Sequence, residues 1–181
     1  MDIYKIKFTV LQQEILRFLF IKSGMTFTER SLANNLKVSP TAVSNSLEVL
    51  EKHELLIVKK DEESGRLSIG LNKDNSRVFF MKRVENFGFI YESGFADYIS
   101  ERFPGCTIIL FGSYSFGEDT VGSDIDIAII GASKKSLNTE KFEKILERSI
   151  SINFYDNFNE IKKPLRENIL NGIVINGGIT L

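Results

Sequence analysis

One cysteine, Cys106, stands in a chain of 181 residues. That excludes an intramolecular disulfide and any multi-cysteine zinc site, and a thiol next to an apolar run reads as a small core residue rather than a nucleophile. Histidine is equally scarce. His53, the only one in the chain, falls at the end of a helical pattern and reads as a helix-terminal surface group, not a catalytic base or metal ligand. Neither sign of charge dominates, with 23 Lys and Arg against 24 Asp and Glu. Bulk attraction to nucleic acid is therefore excluded, although a local basic patch is compatible with that balance. No apolar run approaches the roughly 20 residues of a membrane span, and Met1-Asp2-Ile3-Tyr4-Lys5 is not a secretory signal. A cytoplasmic protein with no membrane attachment is the expectation. Repeats and low-complexity tracts are missing too.

What is present is length for one large or two small domains, with 43% hydrophobic residues to build a core in each. The richest stretch runs from Ile108 to Ile127. An apolar run, Ile108-Ile109-Leu110-Phe111, stops at Gly112-Ser113, passes through a polar segment punctuated by Gly117 and Gly122, and resumes as Asp124-Ile125-Asp126-Ile127. This pattern predicts a strand, a turn with a short helix, and a second strand. Alternation on the second strand sends Asp124 and Asp126 to one face and Ile125 and Ile127 to the other. Two neighbouring carboxylates raise one another's pKa unless a cation lies between them, and a hard divalent ion such as magnesium is the natural occupant. Gly112 allows the backbone to approach a ligand, and the following amides with the Ser113 hydroxyl form a cradle for phosphate oxygens. A phosphate cradle before a metal-binding pair is the equipment of nucleotidyl transfer.

Gly112-Ser113, an interval, and then Ser123-Asp124-Ile125-Asp126-Ile127 resemble the signature of the DNA polymerase beta-like nucleotidyltransferase superfamily, in particular its minimal nucleotidyltransferase branch. The resemblance covers about the C-terminal half. It implies that Gly112 and Ser113 hold the triphosphate of a nucleotide, ATP being the first choice, that Asp124 and Asp126 hold two magnesium ions, and that Ser123 braces the strand start or touches a phosphate. It also implies a third carboxylate on a neighbouring strand, to bind one metal and help deprotonate the acceptor. The candidate strand is Ser149 to Tyr155, and the position flanked by apolar residues in the expected way is Asn153, which can ligate a metal but not accept a proton. Asp156 lies three residues on, where alternation places it on the opposite face unless a bulge intervenes. The turn departs from the branch as well, carrying Tyr114 and Phe116 where basic residues are usual. Small enzymes of this branch often act with a separately encoded helical partner protein.

Upstream the chain reads as three helices and a hairpin. The first begins at Thr9 and buries Leu11, Ile15, Phe18 and Leu19. The second is capped by Thr26 or Thr28 and buries Leu32, Ala33 and Leu36. The third starts at Ser39-Pro40, a serine cap before a first-turn proline, and buries Val43, Leu47 and Leu50. Leu55–Lys60 and Arg66–Leu71 follow as hairpin strands around a polar tip. This order resembles a winged helix-turn-helix domain. The resemblance implies DNA contacts from Ser39, Thr41, Ser44 and Asn45 of the third helix and from Lys59, Lys60 and Arg66 of the wing. Glu48, Asp61, Glu62 and Glu63 oppose that reading, and a protein partner or RNA is the alternative ligand.

Asn72-Lys73-Asp74-Asn75 marks a boundary. Beyond it, an aromatic-rich stretch from Val78 to Phe103 predicts one interrupted or two consecutive amphipathic helices bent at Gly88 and Gly94, with its aromatics in the core. A helix over Thr139–Glu147, another over Phe158–Leu170 and a short apolar piece, Ile173-Val174-Ile175, complete the pattern. The expected architecture is a mainly α winged helix-turn-helix domain over 1–73, a helical connector over 74–104, and an α/β (α+β) nucleotidyltransferase domain with a small mixed sheet over 105–181. Two functions compete. One is transfer of a nucleoside monophosphate to a hydroxyl acceptor. The other is DNA-binding regulation, in which the second domain has lost turnover and serves as a nucleotide sensor or homodimerisation body.

Overall fold

Helix caps and apolar spacing build the first part of the chain. In the computed structural model, which describes residues 7–60 and 67–180, the chain divides into two compact units, Met1–Val78 and Phe79–Leu181. Thr9 opens α1 (Val10–Ile21) with a capping box, its hydroxyl accepting from the Gln12 amide while the Gln12 side chain accepts from the Thr9 amide. Thr28, not Thr26, caps α2 (Glu29–Leu36), and Ser39 caps α3 (Pro40–Lys52), which carries proline in its first turn. The antiparallel wing pairs β1 (Leu56–Lys60) with β2 (Leu67–Leu71), Leu56 facing Leu71. Phe27 adds a short third rung by exchanging both backbone hydrogen bonds with Ile69. Ile15, Leu19, Leu32, Val43, Leu50, Leu55 and Ile69 are all sealed from solvent, the helical periodicities of α1–α3 meeting the alternate positions of the hairpin. These elements make a winged helix-turn-helix arrangement. The tip of the wing, 61–66, lies outside the described residues, and Arg66 with it.

The second unit is a four-stranded mixed sheet with helices. β3 (Thr107–Phe111) runs antiparallel to both β4 (Ile125–Ile130) and β6 (Ile173–Asn176), whereas β5 (Ile150–Tyr155) is parallel to β4, in the order β5-β4-β3-β6. On one face Ile109, Phe111, Ala128 and Ile130 pack with Phe158, Ile161 and Ile169. Ile108, Leu110, Ile125, Ile127 and Ile129, also fully buried, alternate onto the other face. α4 (Ser76–Glu92), α5 (Phe95–Arg102), α6 (Gly112–Phe116), α7 (Glu140–Leu146) and α8 (Lys163–Leu170) complete the helices. Among the described residues no helix is long and apolar enough to cross a membrane.

Three expectations need correction. α4 runs unbroken through Gly88, and the break comes at Gly94, whose φ of 75° is left-handed and suits glycine. The stretch 158–170 is not one helix: a 3-10 turn (Phe158–Glu160) precedes α8, because Pro164 cannot continue a helix and starts a new one in its first turn. Nor are all the aromatic-rich positions core. Phe89, Ile90, Phe95, Ile99 and Phe103 are buried, but Val84 is 70% and Tyr91 44% exposed, while the polar Lys82 and Asn86 of the same helix are 1% and 2% exposed. A carboxylate inside the unit, described below, draws that polar face inward.

Candidate active site

β3 ends at Phe111, directly opposite Asp126 in the antiparallel register. The next residue, Gly112, turns the chain into α6 with a φ of 73°, and a β-carbon added there would lie 2.5 Å from Asp126 Oδ2. Any other residue would carry both the left-handed backbone and that clash. The turn and the carboxylate are thus in contact, and Ser113 follows in the first turn of α6, half-buried. At the end of α6, Gly117 (φ 76°) lies against the backbone of α4, where an added β-carbon would meet the Phe79 carbonyl oxygen and, at 2.7 Å, the Arg83 nitrogen.

The chain returns through 118–124. The Ser123 hydroxyl accepts from the Thr120 amide at 3.0 Å and the Ser123 amide donates to the Thr120 carbonyl at 3.0 Å, closing a small ring just before the aspartates. Asp124 is exposed and Asp126 half-buried. The Asp126 carboxyl is raised above the ordinary carboxylate value, first by burial and then by the charge of Asp124. Among the described residues, no histidine, cysteine, aspartate or glutamate joins them in a group of three or more able to hold a metal.

β5 lies on the far side of β4. Its parallel register sets Ser151 level with Asp126 and Asn153 level with Ala128, so Asn153 is on the face of Asp126 but about 7 Å further along the strand. β5 is regular, with no bulge. Asp156 therefore follows the last strand residue at the opposite end of the sheet, exposed beside Gly131 and Phe158. A cleft of about 470 Å³ opens next to Asp124, bordered by Ser123, Glu140, Glu143, Lys144 and Ser149. Within it the Glu143 carboxylate accepts from the Ile150 amide at 2.9 Å, committing that side chain to the start of β5.

Behind the turn is a set of residues that no local pattern signals. Asp119 is 1% exposed, with Lys82 (1%) and Arg148 (5%) as ion-pair partners. Asn86 Nδ2 donates to Asp119 Oδ1 at 2.6 Å and to the Tyr114 carbonyl at 2.9 Å. The Tyr114 hydroxyl is pushed above its usual value by burial and by Asp119. The only hint in the sequence is a lysine and an asparagine four apart within an apolar helix, a pattern that acquires meaning once Asp119 is known to lie inside.

In the winged unit, Ser39 at the cap, Thr41 and Asn45 are exposed and Ser44 is half-buried, on the side of α3 away from Val43, Leu47 and Leu50. The Ser39 hydroxyl accepts from the Ala42 amide at 3.2 Å. Lys59 and Lys60 are exposed at the end of β1.

Residues 92–176 match the family model described as nucleotidyltransferase domain. Among solved structures the chain is similar to a mutant of MepR from Staphylococcus aureus, with 25% identity over 42% of this chain and 56% of that one at a TM-score of 0.37. It is also similar to the adhesin competence repressor AdcR of Streptococcus pyogenes, with 20% identity over 54% and 69% of the two chains and a TM-score of 0.39. A mutant of ZitR from Lactococcus lactis gives 20% identity over 55% and 64% at 0.42. The chain thus spans little more than half the length of the MepR chain it matches. No curated protein matches it.

Proposed function

We propose that the second unit binds a nucleoside triphosphate, ATP first among them, with magnesium, and transfers the nucleoside monophosphate to an acceptor hydroxyl, while the winged unit docks on DNA. The observation that supports the reading is the close approach of Gly112 to Asp126, which brings the Gly112-Ser113 turn against one of the two carboxylates. The donor set suits the ion. Asp124 and Asp126 are two oxygen-bearing side chains, the second with a raised carboxyl, and magnesium is characteristically held by one or two carboxylates together with substrate phosphates. When bound, it neutralises charge on the α-phosphoryl group and the departing pyrophosphate.

The chain's own residues do the rest. Backbone amides after Gly112 and the Ser113 hydroxyl orient the triphosphate, and fixed donors of this kind lower the barrier without reorganising. The acceptor oxygen forms its bond to the α-phosphorus as the bond to the β-phosphate oxygen breaks. Its proton passes to water, because β5 offers Ser151 and Asn153 and no carboxylate. In the winged unit Thr41, Ser44 and Asn45 face base edges. Ser39, Lys59, Lys60 and Arg66 meet phosphates.

Calorimetric titration of the chain with ATP and the other triphosphates, with and without magnesium, tests this. Binding should need magnesium and vanish in the Asp124→Asn, Asp126→Asn double variant, and label transfer from nucleotide to any acceptor, protein hydroxyls included, should fall by about a thousandfold or more. Transfer that survives the double substitution rules the site out.

The register on β5 favours a second reading, in which the domain binds nucleotide and reports it to a DNA-bound regulator without turnover. Magnesium-dependent binding without transfer to any acceptor, together with DNA affinity that shifts on adding nucleotide, would select it.

A further inference from the structure

The two halves of the site meet in space but belong to different elements: the turn at Gly112-Ser113 opens α6, Asp126 lies at the start of β4 with Asp124 just before it, and between them 118–124 has no regular secondary structure. Such a segment ordinarily wanders, and although the pairing of Phe111 with Asp126 fixes one point of the site, α6 at the start of the segment and Asp124 at its end would wander with it. The contacts of Asp119 prevent this. Lys82 and Asn86 are four residues apart, hence on one face of α4, and both reach Asp119 Oδ1. Asn86 uses the same nitrogen on the Tyr114 carbonyl of α6 at 2.9 Å. From the other side Arg148 Nη2 donates to Asp119 Oδ2 at 3.2 Å. Arg148 immediately precedes Ser149, whose carbonyl accepts from the Ile125 amide at 2.8 Å, so this guanidinium stands where β4 and β5 begin. One carboxylate therefore joins α4, α6 and the leading edge of the sheet. Burying three ionised groups gains little stability over an apolar cluster of the same volume, since desolvation offsets most of the attraction. What it provides is one geometry, because Lys82, Asn86 and Arg148 Nη2 reach the one carboxylate together only when all the elements are in place.

We infer that Lys82, Asn86 and Arg148 are positioning residues of the nucleotide site, which through Asp119 and the Tyr114 carbonyl hold α6, with Ser113 in its first turn, and the segment leading to Asp124 in one arrangement about Asp126. The inference rests on the nucleotide-binding reading for its functional consequence, and not for the restraint itself. Arg148 also borders the cleft beside Asp124, so the effect of the loop is read through Lys82 and Asn86, which do not line it.

The test uses the full chain in two variants. Asn86→Leu removes both shared hydrogen bonds at nearly constant volume and leaves the ion pairs. Lys82→Met leaves Asp119 paired with Arg148 and serves if the first variant does not fold. Hydrogen exchange of the free protein should show amides 113–124 opening about tenfold faster or more, with those of β3 and β4 unchanged, the size expected for losing a hydrogen bond to a charged group. ATP affinity with magnesium should fall by about tenfold at a temperature where both proteins are fully folded. A purely structural cluster would instead raise exchange evenly through the sheet, or leave affinity untouched while the melting temperature falls. Either result overturns the inference. If the wild-type chain binds no triphosphate, the proposed function fails, and the locality of exchange still decides whether the cluster restrains the loop.

Discussion

The two units of this chain bury different kinds of side chain. In the winged unit the interior is aliphatic and aromatic, and its buried polar residues include Gln12, Ser23 and Ser46, of which Gln12 closes the α1 capping box and Ser46 donates to the Ala42 carbonyl one turn back at 2.8 Å. Gln12 and Ser46 are thus satisfied within their own helix or cap. In the second unit Lys82, Asn86, Asp119 and Arg148 are buried, and the hydrogen bonds that join the other three to Asp119 span 29 to 37 residues of sequence. The difference teaches where specificity resides: the first unit needs only that its elements pack, the second that a turn and a strand stand at one separation. Charge is hidden where position matters more than stability.

The largest effect should come from Gly117→Ala. The added methyl group meets the α4 backbone at a left-handed φ, so the second unit should lose more than about 3 kcal/mol. Hydrogen exchange should show protection falling across β3, β4 and β5 while α1–α3 keep theirs; a fall shared equally by both units would dissolve the comparison. Leu50→Ala is its counterpart. It empties a fully buried site and should cost the winged unit about 3 kcal/mol, read as faster exchange in α1–α3 with the sheet of the second unit unaltered.

Smaller is the cap. Ser39→Ala removes the hydroxyl that accepts from the Ala42 amide and should lower stability by about 1 kcal/mol. Ser39→Asp restores the cap but sets a carboxylate against phosphate, so stability should recover while DNA affinity falls; recovery of both would mean that Ser39 only caps.

The smallest effect concerns pH. With its folded carboxyl raised above the ordinary value of 3.8, Asp126 binds more protons folded than unfolded. Its contribution to stability is complete below the ordinary carboxylate range and is lost as pH rises through the raised value. Asp126→Asn should therefore be slightly more stable than wild type at neutral pH and indistinguishable at strongly acidic pH, and magnesium should narrow the neutral difference. Thermal melts across that range decide it, and a variant less stable at neutral pH would show that Asp126 has a structural partner.

Most of the architecture was legible beforehand. Ser39-Pro40, the strand alternation from Leu67 to Leu71 and the apolar runs on either side of Gly112-Ser113 are local signals, and each produced its element within a residue or two. The aromatic-rich helix misled, because hydrophobicity predicted burial for Val84 and Tyr91, which are exposed, while Lys82 of the same helix is buried. Periodicity reports which residues share a face, not which face turns inward.

By itself the sequence determined the two folds, the glycine turn and the aspartate pair, since these depend on neighbours three or four positions apart or on alternation along one strand. Only the tertiary structure decided that Ser151, not Asn153, stands level with Asp126, that Asp156 ends at the far edge, and that Asp119 is held by Lys82, Asn86 and Arg148. Strand register and long-range ion pairing are settled by which elements pack together, and no local spacing encodes them.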